Sequence, residues 1–171
     1  DIAAYVRITN LGAAPARLPP RSAELGLELP DPPAAAAAFE PVVRVGSTVY
    51  VSGQVATRDD ELVATGHLGA DLDVAGGQEA ARQCALNLLA QLRAAAGGLD
   101  AVERLVKVTV FIACTPDFTA QSQVADGASR LLVDALGPAG AHARAAIGVA
   151  ALPIGSPVEV EAVALLREDA A

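Results

Sequence analysis

The sequence of 171 residues contains no Trp and no Met, only two Cys and two His, and aromatic residues make up 3% of it. So few aromatic side chains leave no stacking platform for single-stranded nucleic acid. His67 and His142 are too few for a histidine-rich metal site, and the two cysteines are far apart without metal-ligand spacing. We therefore expect no metal. Cys84 is expected in the core, whereas Cys114 follows a predicted strand and its role stays open.

Positive charge is also scarce. The chain has 12 Lys and Arg against 20 Asp and Glu, a formal net charge of −8, and no basic run. Binding to phosphate backbones depends on such charges, so we do not expect RNA or DNA as a partner. No apolar run approaches the roughly 20 residues of a membrane span, and the first residues do not read as a signal peptide. We predict a soluble protein of the reducing cytoplasm.

The N-terminal 41 residues differ from the rest of the chain. Residues 1–41 hold most of the prolines and an alanine run over 34–38, which is typical of an extended arm. Residues 42–168 show strand and helix patterns without an internal repeat, and we expect them to form one domain. A chain of this length buries enough surface to fold without a disulfide.

Apolar periodicity predicts the elements of this domain. Two β-branched runs separated by Gly46-Ser47 predict a hairpin, and a weaker strand is expected over 61–64. Helices are predicted over 76–98 and 122–136, and further strands over 105–112, 142–150 and 157–166. The polar side of the first helix, expected opposite its apolar face, consists of Glu79, Arg82, Gln83, Asn87 and Gln91.

This order predicts an α+β fold in which both helices pack on one face of a mixed sheet. In the strand over 105–112, the residues expected to face the helices are Val106, Val108, Val110 and Ile112. The other sheet face stays uncovered and is partly apolar through Phe111 and Ile147. We expect another copy of the chain to cover it.

Charged residues inside apolar runs are the first candidates for a functional site. Arg144 lies among Ala and Val, where an unpaired charge loses its hydration. Its planar guanidinium suits a carboxylate ligand. Alternatively, it pairs with Glu159, Glu161 or an acidic residue of a neighbouring subunit. The two glutamates share one strand face, where they either handle a water beside a substrate or lie on a solvated rim.

Ser52 and Gly53 form a second candidate, because a hydroxyl and the amides of a glycine bend at a strand end can face a cleft. A Ser-His-Asp triad has little support, since the sequence has no G-x-S-x-G elbow and both histidines are distant. Phosphate-loop, zinc-protease and EF-hand patterns are absent from the sequence.

Ordered blocks along the chain resemble one known family. They are 49–54 (VYVSGQ), 85–89 (ALNLL), 106–111 (VKVTVF), 117–118 (DF), 143–144 (AR), 152–153 (LP) and 158–162 (VEVEA). Over about residues 40–166 the sequence resembles the Rid/YjgF family of reactive-intermediate imine deaminases. The resemblance implies a chorismate-mutase-like α+β fold and a homotrimer whose sheets form a central barrel, with ligand clefts between subunits. It implies no metal or organic cofactor.

The resemblance also implies roles for individual residues. Arg144 would grip the carboxylate of a 2-imino acid, and Glu159 would position or activate the water that attacks the imine carbon. The products would be a 2-oxo acid and ammonia. The residues implied to line the pocket are Phe39, Ser52, Gly53, Asp126 and Ala146. Two of them depart from the family pattern, because Phe39 replaces a common tyrosine and Asp126 stands where asparagine is frequent.

The leading hypothesis is therefore an enzyme that hydrolyses small 2-imino or enamine acids. The alternative is a non-catalytic trimeric binder of small carboxylate or carbonyl metabolites. A third interpretation, endoribonuclease, is a label sometimes attached to the family, and the acidic composition weighs against it.

Overall fold

A computed structural model describes residues 26–35 and 37–167 of the chain. Five strands form one mixed sheet, and two long helices pack on one face of it, which confirms the predicted α+β class. The helices are α1 (Val74–Ala96) and α2 (Gln121–Leu136), and the strands are β1 (Val42–Val45), β2 (Thr48–Val55), β3 (Thr57–Arg58), β4 (Glu61–Leu62), β5 (Val102–Ala113), β6 (Ala143–Val149) and β7 (Val158–Leu166).

The strands of the main sheet follow the order β1-β2-β7-β5-β6. β5 and β6 are parallel, and α2 connects them, whereas the other neighbouring pairs are antiparallel. The predicted hairpin is confirmed as β1 and β2. The weaker strand expected over 61–64 is only the two-residue β4, which pairs with β3 outside the main sheet.

The helices begin and end close to the predicted positions. Asp73 caps α1, because its side chain accepts a hydrogen bond from the backbone N–H of Gly76, and Gly97 ends the helix in a left-handed conformation. α2 packs closely on α1 at Gly127, where a Cβ would collide with the backbone carbonyl of Gln78. The glycine therefore permits the contact between the two helices.

One strand prediction was wrong at Val106. The pairing of β5 with β7 shifts register between Leu105 and Lys107, so Leu105 is buried while Val106 is 40% exposed. Such an irregularity reverses the sides to which residues point. After it, Val108 and every second residue to Ile112 are fully buried, as predicted.

The polar side of α1 is a second correction. The sequence predicts its five residues opposite the buried face, but three of them are themselves buried. These are Gln83, Asn87 and Gln91. Asn87 Nδ2 donates to the carbonyl oxygens of Val55 and Thr57 at 3.1 and 2.9 Å, and Gln83 Nε2 also donates to the carbonyl of Thr57. These amides are buried because β3 and the end of β2 lie over them, and the amides satisfy the backbone carbonyls there.

The last part of the predicted arm contacts the domain. Leu27 and Leu29 pack against the core, and Gln91 Nε2 donates to the carbonyl oxygen of Pro33 at 2.6 Å. Most of the arm predicted over 1–41 lies outside the described residues, and the domain boundary remains a prediction. Within the described part, Pro30 and Pro33 are hydrogen-bonded to α1.

Candidate functional site

Arg144 lies on β6 and contacts α2 on the helix-covered side of the sheet. Its Nη1 is 2.9 Å from Oδ1 of Asp126 and 3.1 Å from Oγ of Ser129. Its Nη2 donates to Oγ and to the carbonyl oxygen of Ser122, at 2.9 and 3.3 Å. The side chain is 21% exposed. Arg144 therefore forms an ion pair with Asp126, and not with Glu159 or Glu161 of β7.

Ser129 connects Arg144 to His142. The serine Oγ is 3.0 Å from Nε2 of His142, whose Nδ1 is 2.6 Å from the carbonyl oxygen of Gly140. Because Nδ1 donates to that carbonyl, Nε2 is free to accept the serine proton in the neutral imidazole. Burial lowers the pKa of His142, and the charge of Arg144 lowers it further, against the hydrogen bond to Gly140 that raises it.

Small residues continue the same side of β6 beyond Arg144. Ala146 packs against the core, and a Cβ at Gly148 would lie 2.8 Å from Sγ of Cys114 and 3.1 Å from Nε2 of Gln121. The small residues therefore let the first turn of α2 and the free thiol of Cys114 approach the strand. The result is a strip along β6 with Arg144 at one end and Cys114 at the other.

Glu159 lies on the opposite, uncovered face of the sheet. The alternate residues of β7, Val158, Val160 and Ala162, are buried beneath the helices, so the predicted shared face of Glu159 and Glu161 is confirmed. Partial burial raises the pKa of the Glu159 carboxyl, and the neighbouring charge of Glu161 raises it further. A carboxyl with a raised pKa exchanges protons closer to neutral pH than an ordinary glutamate.

Gly53 provides the space that Glu159 occupies. The pairing of β2 with β7 shifts register between Val51 and Gln54, and a Cβ at Gly53 would coincide with Oε1 of Glu159. A side chain at position 53 would therefore displace the Glu159 carboxylate, and the backbone there is not left-handed.

Ser52 connects this region to Phe39. Its N–H donates to the carbonyl oxygen of Pro41 at 2.9 Å, and its Oγ donates to the carbonyl oxygen of Glu40 at 2.8 Å. These bonds hold the chain just after Phe39, whose side chain is 48% exposed. The hydroxyl of Ser52 donates to the backbone, so its role in the structure is to hold this segment against β2.

The predicted site residues thus fall into two groups on opposite faces of the sheet. The helix-side group consists of Asp126, Arg144 and Ala146. The open-side group consists of Ser52, Gly53 and Glu159, and Phe39 directly precedes the segment that is hydrogen-bonded to Ser52. Within one chain the sheet separates the guanidinium from the Glu159 carboxylate, so the two groups do not form one pocket.

The open face carries both apolar and polar residues. Phe111 and Ile147 lie on this face as predicted; they are neighbours in the pairing of β5 with β6, and Ile147 is 43% exposed. A pocket of about 250 Å³ on this face is lined by Tyr50, Val51, Ser52, Lys107, Thr109, Glu161, Ala162 and Val163. An apolar face with such a pocket is typical of a surface that another chain covers.

Three neighbours of Arg144 were missed in the sequence. Ser122 and Ser129 flank Asp126 at spacings of four and three residues, which places all three on one side of α2. This spacing was a usable signal, because these polar residues follow the edge of an otherwise apolar helix face. His142 precedes the arginine by two residues, and nothing in its sequence context indicated the contact with Ser129.

Two general features of the described residues bear on function. No three side chains of His, Cys, Asp or Glu within 26–35 and 37–167 are grouped as a metal site would need. None of the helices in these ranges is long and apolar enough to cross a membrane.

Comparison with known proteins identifies the family. The model of the family described as endoribonuclease L-PSP matches residues 30–166. Protein TCP17 of Trypanosoma cruzi is 47% identical over 144 residues, which cover 84% of this chain and 90% of that protein. The 2-iminobutanoate/2-iminopropanoate deaminase of Rattus norvegicus is 37% identical over 134 residues, covering 78% of this chain and 83% of the deaminase.

A solved structure supports the same relationship. A protein of unknown function from Agrobacterium tumefaciens superposes with a TM-score of 0.80 at 41% identity, covering 86% of this chain and 91% of that one. The predicted chorismate-mutase-like fold is thereby confirmed. The chain belongs to the endoribonuclease L-PSP family, which is the Rid/YjgF family that its sequence blocks resemble.

Proposed function

We propose that the protein hydrolyses small reactive 2-imino or enamine acids to 2-oxo acids and ammonia. The observation that carries the proposal is Glu159, a half-buried carboxyl with a raised pKa held above Gly53 in a chain related to deaminases. In the reaction, water adds to the iminium carbon, the C–N bond breaks, and the nitrogen leaves as ammonium. A zwitterionic iminium acid and one water thus give a 2-oxo acid anion and one ammonium ion.

The proposed roles follow the chemistry of each side chain. Arg144 binds the substrate carboxylate through its guanidinium, exchanging a contact to Ser122 for the ligand. Glu159 accepts a proton from the attacking water and returns it to the leaving nitrogen, for which a pKa nearer neutrality is suited. Phe39 supplies a ring wall without a hydroxyl, so proton transfer falls to Glu159. No metal or organic cofactor is needed in this proposal.

The proposal requires clefts between subunits, which we propose to be those of a homotrimer, because the sheet separates Arg144 from Glu159 within one chain. We propose that the open faces meet around a central axis and that each cleft combines the helix-side group of one subunit with the open-side group of the next. The exposed apolar residues of the open face, among them Ile147, support this assembly. A monomer in dilute solution would then be inactive.

An oxidase-coupled assay tests the activity. An amino-acid oxidase generates the 2-imino acid in place, and release of 2-oxo acid is followed with and without the protein. We expect acceleration over spontaneous hydrolysis, loss of turnover in Glu159→Gln with ligand binding retained, and loss of both in Arg144→Ala. Glu61→Gln, the same chemical change on the exposed β4, is the matched control. No acceleration with any of several amino acids would contradict the proposal.

A non-catalytic binder of small carboxylates or carbonyl compounds is the second candidate. It is favoured by the guanidinium of Arg144, which already has acceptors in Asp126, Ser129 and Ser122 and is held in one place without a ligand. Carboxylate binding that is unchanged in Glu159→Gln, together with no effect of wild-type protein on imine hydrolysis, would establish this candidate. The cytoplasmic location and the absence of a nucleic-acid partner remain predictions, and a filter-binding assay at low salt tests the latter.

A further inference from the structure

We infer that Asp126 makes the arginine site select ligands without net charge over anionic ligands, so that the cleft admits a zwitterionic iminium acid and releases the 2-oxo acid anion. Asp126 is thereby a specificity-determining residue. The inference rests on the proposed function, since it concerns the ligands of that same cleft.

The guanidinium of Arg144 is charge-neutralised before any ligand arrives. Asp126 Oδ1 lies 2.9 Å from Nη1, within direct ion-pair distance. The other acceptors, Ser129 and Ser122, are uncharged and take three hydrogen bonds, so that with Asp126 the two terminal nitrogens donate four. A guanidinium has five N–H groups, so only Nε lacks an acceptor among the described residues. A ligand carboxylate must therefore share the arginine with the aspartate.

Sharing the arginine places two carboxylates near each other. A ligand oxygen that reaches Nη1 or Nη2 lies within a few ångströms of Asp126, where like charges disfavour each other. Asp126 is 39% exposed, so solvent reduces this repulsion without removing it. Arg130 offers partial compensation, because its Nη2 is 3.9 Å from the other carboxylate oxygen of Asp126, but its side chain is largely exposed. The repulsion remains for a ligand whose only charge is a carboxylate.

For a zwitterionic ligand, Asp126 exerts an attraction as well as a repulsion. Its cationic nitrogen, adjacent to the carboxylate-bearing carbon, is attracted by Asp126 while its carboxylate contacts Arg144. Hydrolysis replaces this ligand, of zero net charge, with a 2-oxo acid of charge −1 and a separate ammonium ion. The aspartate thus favours the reactant and disfavours the carbon-containing product, which promotes product release.

Binding of two ligands with the same carbon skeleton tests the inference. 2-Oxobutanoate carries a net charge of −1, and L-2-aminobutanoate is a zwitterion, so their affinity ratio reports on ligand charge at nearly constant shape. Calorimetry gives the affinities of both ligands for the wild-type protein and for Asp126→Asn. This variant keeps an oxygen acceptor for Arg144 and removes only the charge. Asp134→Asn, an equal charge change at an exposed position of the same helix, is the matched control.

We expect Asp126→Asn to shift the affinity ratio toward 2-oxobutanoate by about tenfold, the size of one like-charge contact at a partly exposed site. Asp134→Asn should leave the ratio unchanged. Asp126→Ser, which keeps a hydroxyl acceptor, should shift the ratio in the same direction and serves as the second variant if the asparagine protein does not fold.

The outcomes separate the two proposals. An unchanged ratio in both Asp126 variants, with imine hydrolysis retained by the wild-type protein, overturns the inference and leaves the proposed function standing. A shifted ratio without any catalysed hydrolysis supports the inference for a binding protein and overturns the deaminase proposal. No binding of either ligand to any of the proteins overturns the inference.

Discussion

The carboxylate of Glu159 fills the space in which any residue other than glycine at position 53 would place its Cβ. The two positions therefore depend on each other. We predict that Gly53→Ala displaces Glu159, reduces turnover at least tenfold, and lowers the free energy of unfolding by no more than about 1 kcal/mol, because the end of a flexible side chain can move aside. Chemical denaturation measures the second effect.

A double-mutant cycle isolates this contact. In a Glu159→Ala background the added methyl group meets no carboxylate, so Gly53→Ala should cost much less stability there than in the wild-type chain. Equal losses in both backgrounds would mean that the glycine is needed for another reason.

Replacement of Glu159 should stabilise the protein at neutral pH. Its pKa is raised in the folded state, so the folded state binds the proton more tightly than the unfolded state. The stability that this confers is fully present below the unfolded pKa of about 4.3 and is lost as pH rises through the folded pKa. We expect Glu159→Gln to raise Tm at pH 7 and to differ little from wild type near pH 4. A Tm below that of wild type at pH 7 would contradict this.

His142 should act in the opposite direction. Its pKa is lowered in the folded state, so the unfolded state binds the proton more tightly. Its contribution to stability is present above the unfolded pKa of about 6.5 and is lost as pH falls through the folded pKa. We predict that, as pH falls from 7 to 5, the change in the free energy of unfolding is more favourable in His142→Gln than in the wild-type protein, because Glu159 acts in the opposite direction equally in both. Thermal unfolding of both proteins at pH 7 and pH 5 gives the comparison, and an equal change in both would contradict the prediction.

The buried amide of Asn87 should contribute strongly to stability. It donates to the carbonyl oxygens of Val55 and Thr57, which lose these donors in Asn87→Ala. We expect a loss of about 1–3 kcal/mol in the free energy of unfolding. Glu79→Ala, on the exposed side of the same helix, should cost under about 0.5 kcal/mol. Urea titration of both variants gives the comparison.

Disruption of the open face tests the proposed trimer. Ile147→Asp introduces a charge on the exposed apolar surface beside Phe111, and burying it without a partner is costly. We expect sedimentation to show dissociation and the imine assay to show lost activity. Ile154→Asp changes an equally apolar exposed residue outside the sheet and should leave assembly intact. A wild-type chain that sediments as a monomer would contradict the trimer.

The sequence predicted the elements and most of the faces, because helices and strands impose periods that local residues reveal. Periodicity predicted the wrong face for Val106, since the register shift beside it depends on the partner strand. Periodicity also failed to predict the burial of polar residues on α1, because this burial depends on other elements of the fold. Gln83 and Asn87 are polar residues in a helix with a strong apolar pattern, and only the position of β3 shows that backbone carbonyls cover them.

The sequence indicated candidate residues for the site, but it did not indicate how the fold arranges them. Arg144 and Glu159 stood out as charges in apolar strands. Their separation depends on register: Arg144 lies opposite Val108 and Glu159 opposite Phe111, and these neighbours on β5 face opposite ways. The partnership with Asp126 depends on how α2 crosses the sheet, which no local pattern contains.

The placement of β7 has a consequence for how the chain acquires its structure. Among the described residues, the hairpin of β1 and β2 joins β5 and β6 through β7, which is the last strand of the sheet in sequence order. During synthesis, the hairpin of β1 and β2 therefore cannot join the other strands of the sheet until β7 leaves the ribosome. Stop codons or frameshifts just before residue 158 would leave two half-sheets with exposed edges, which are targets for aggregation and degradation.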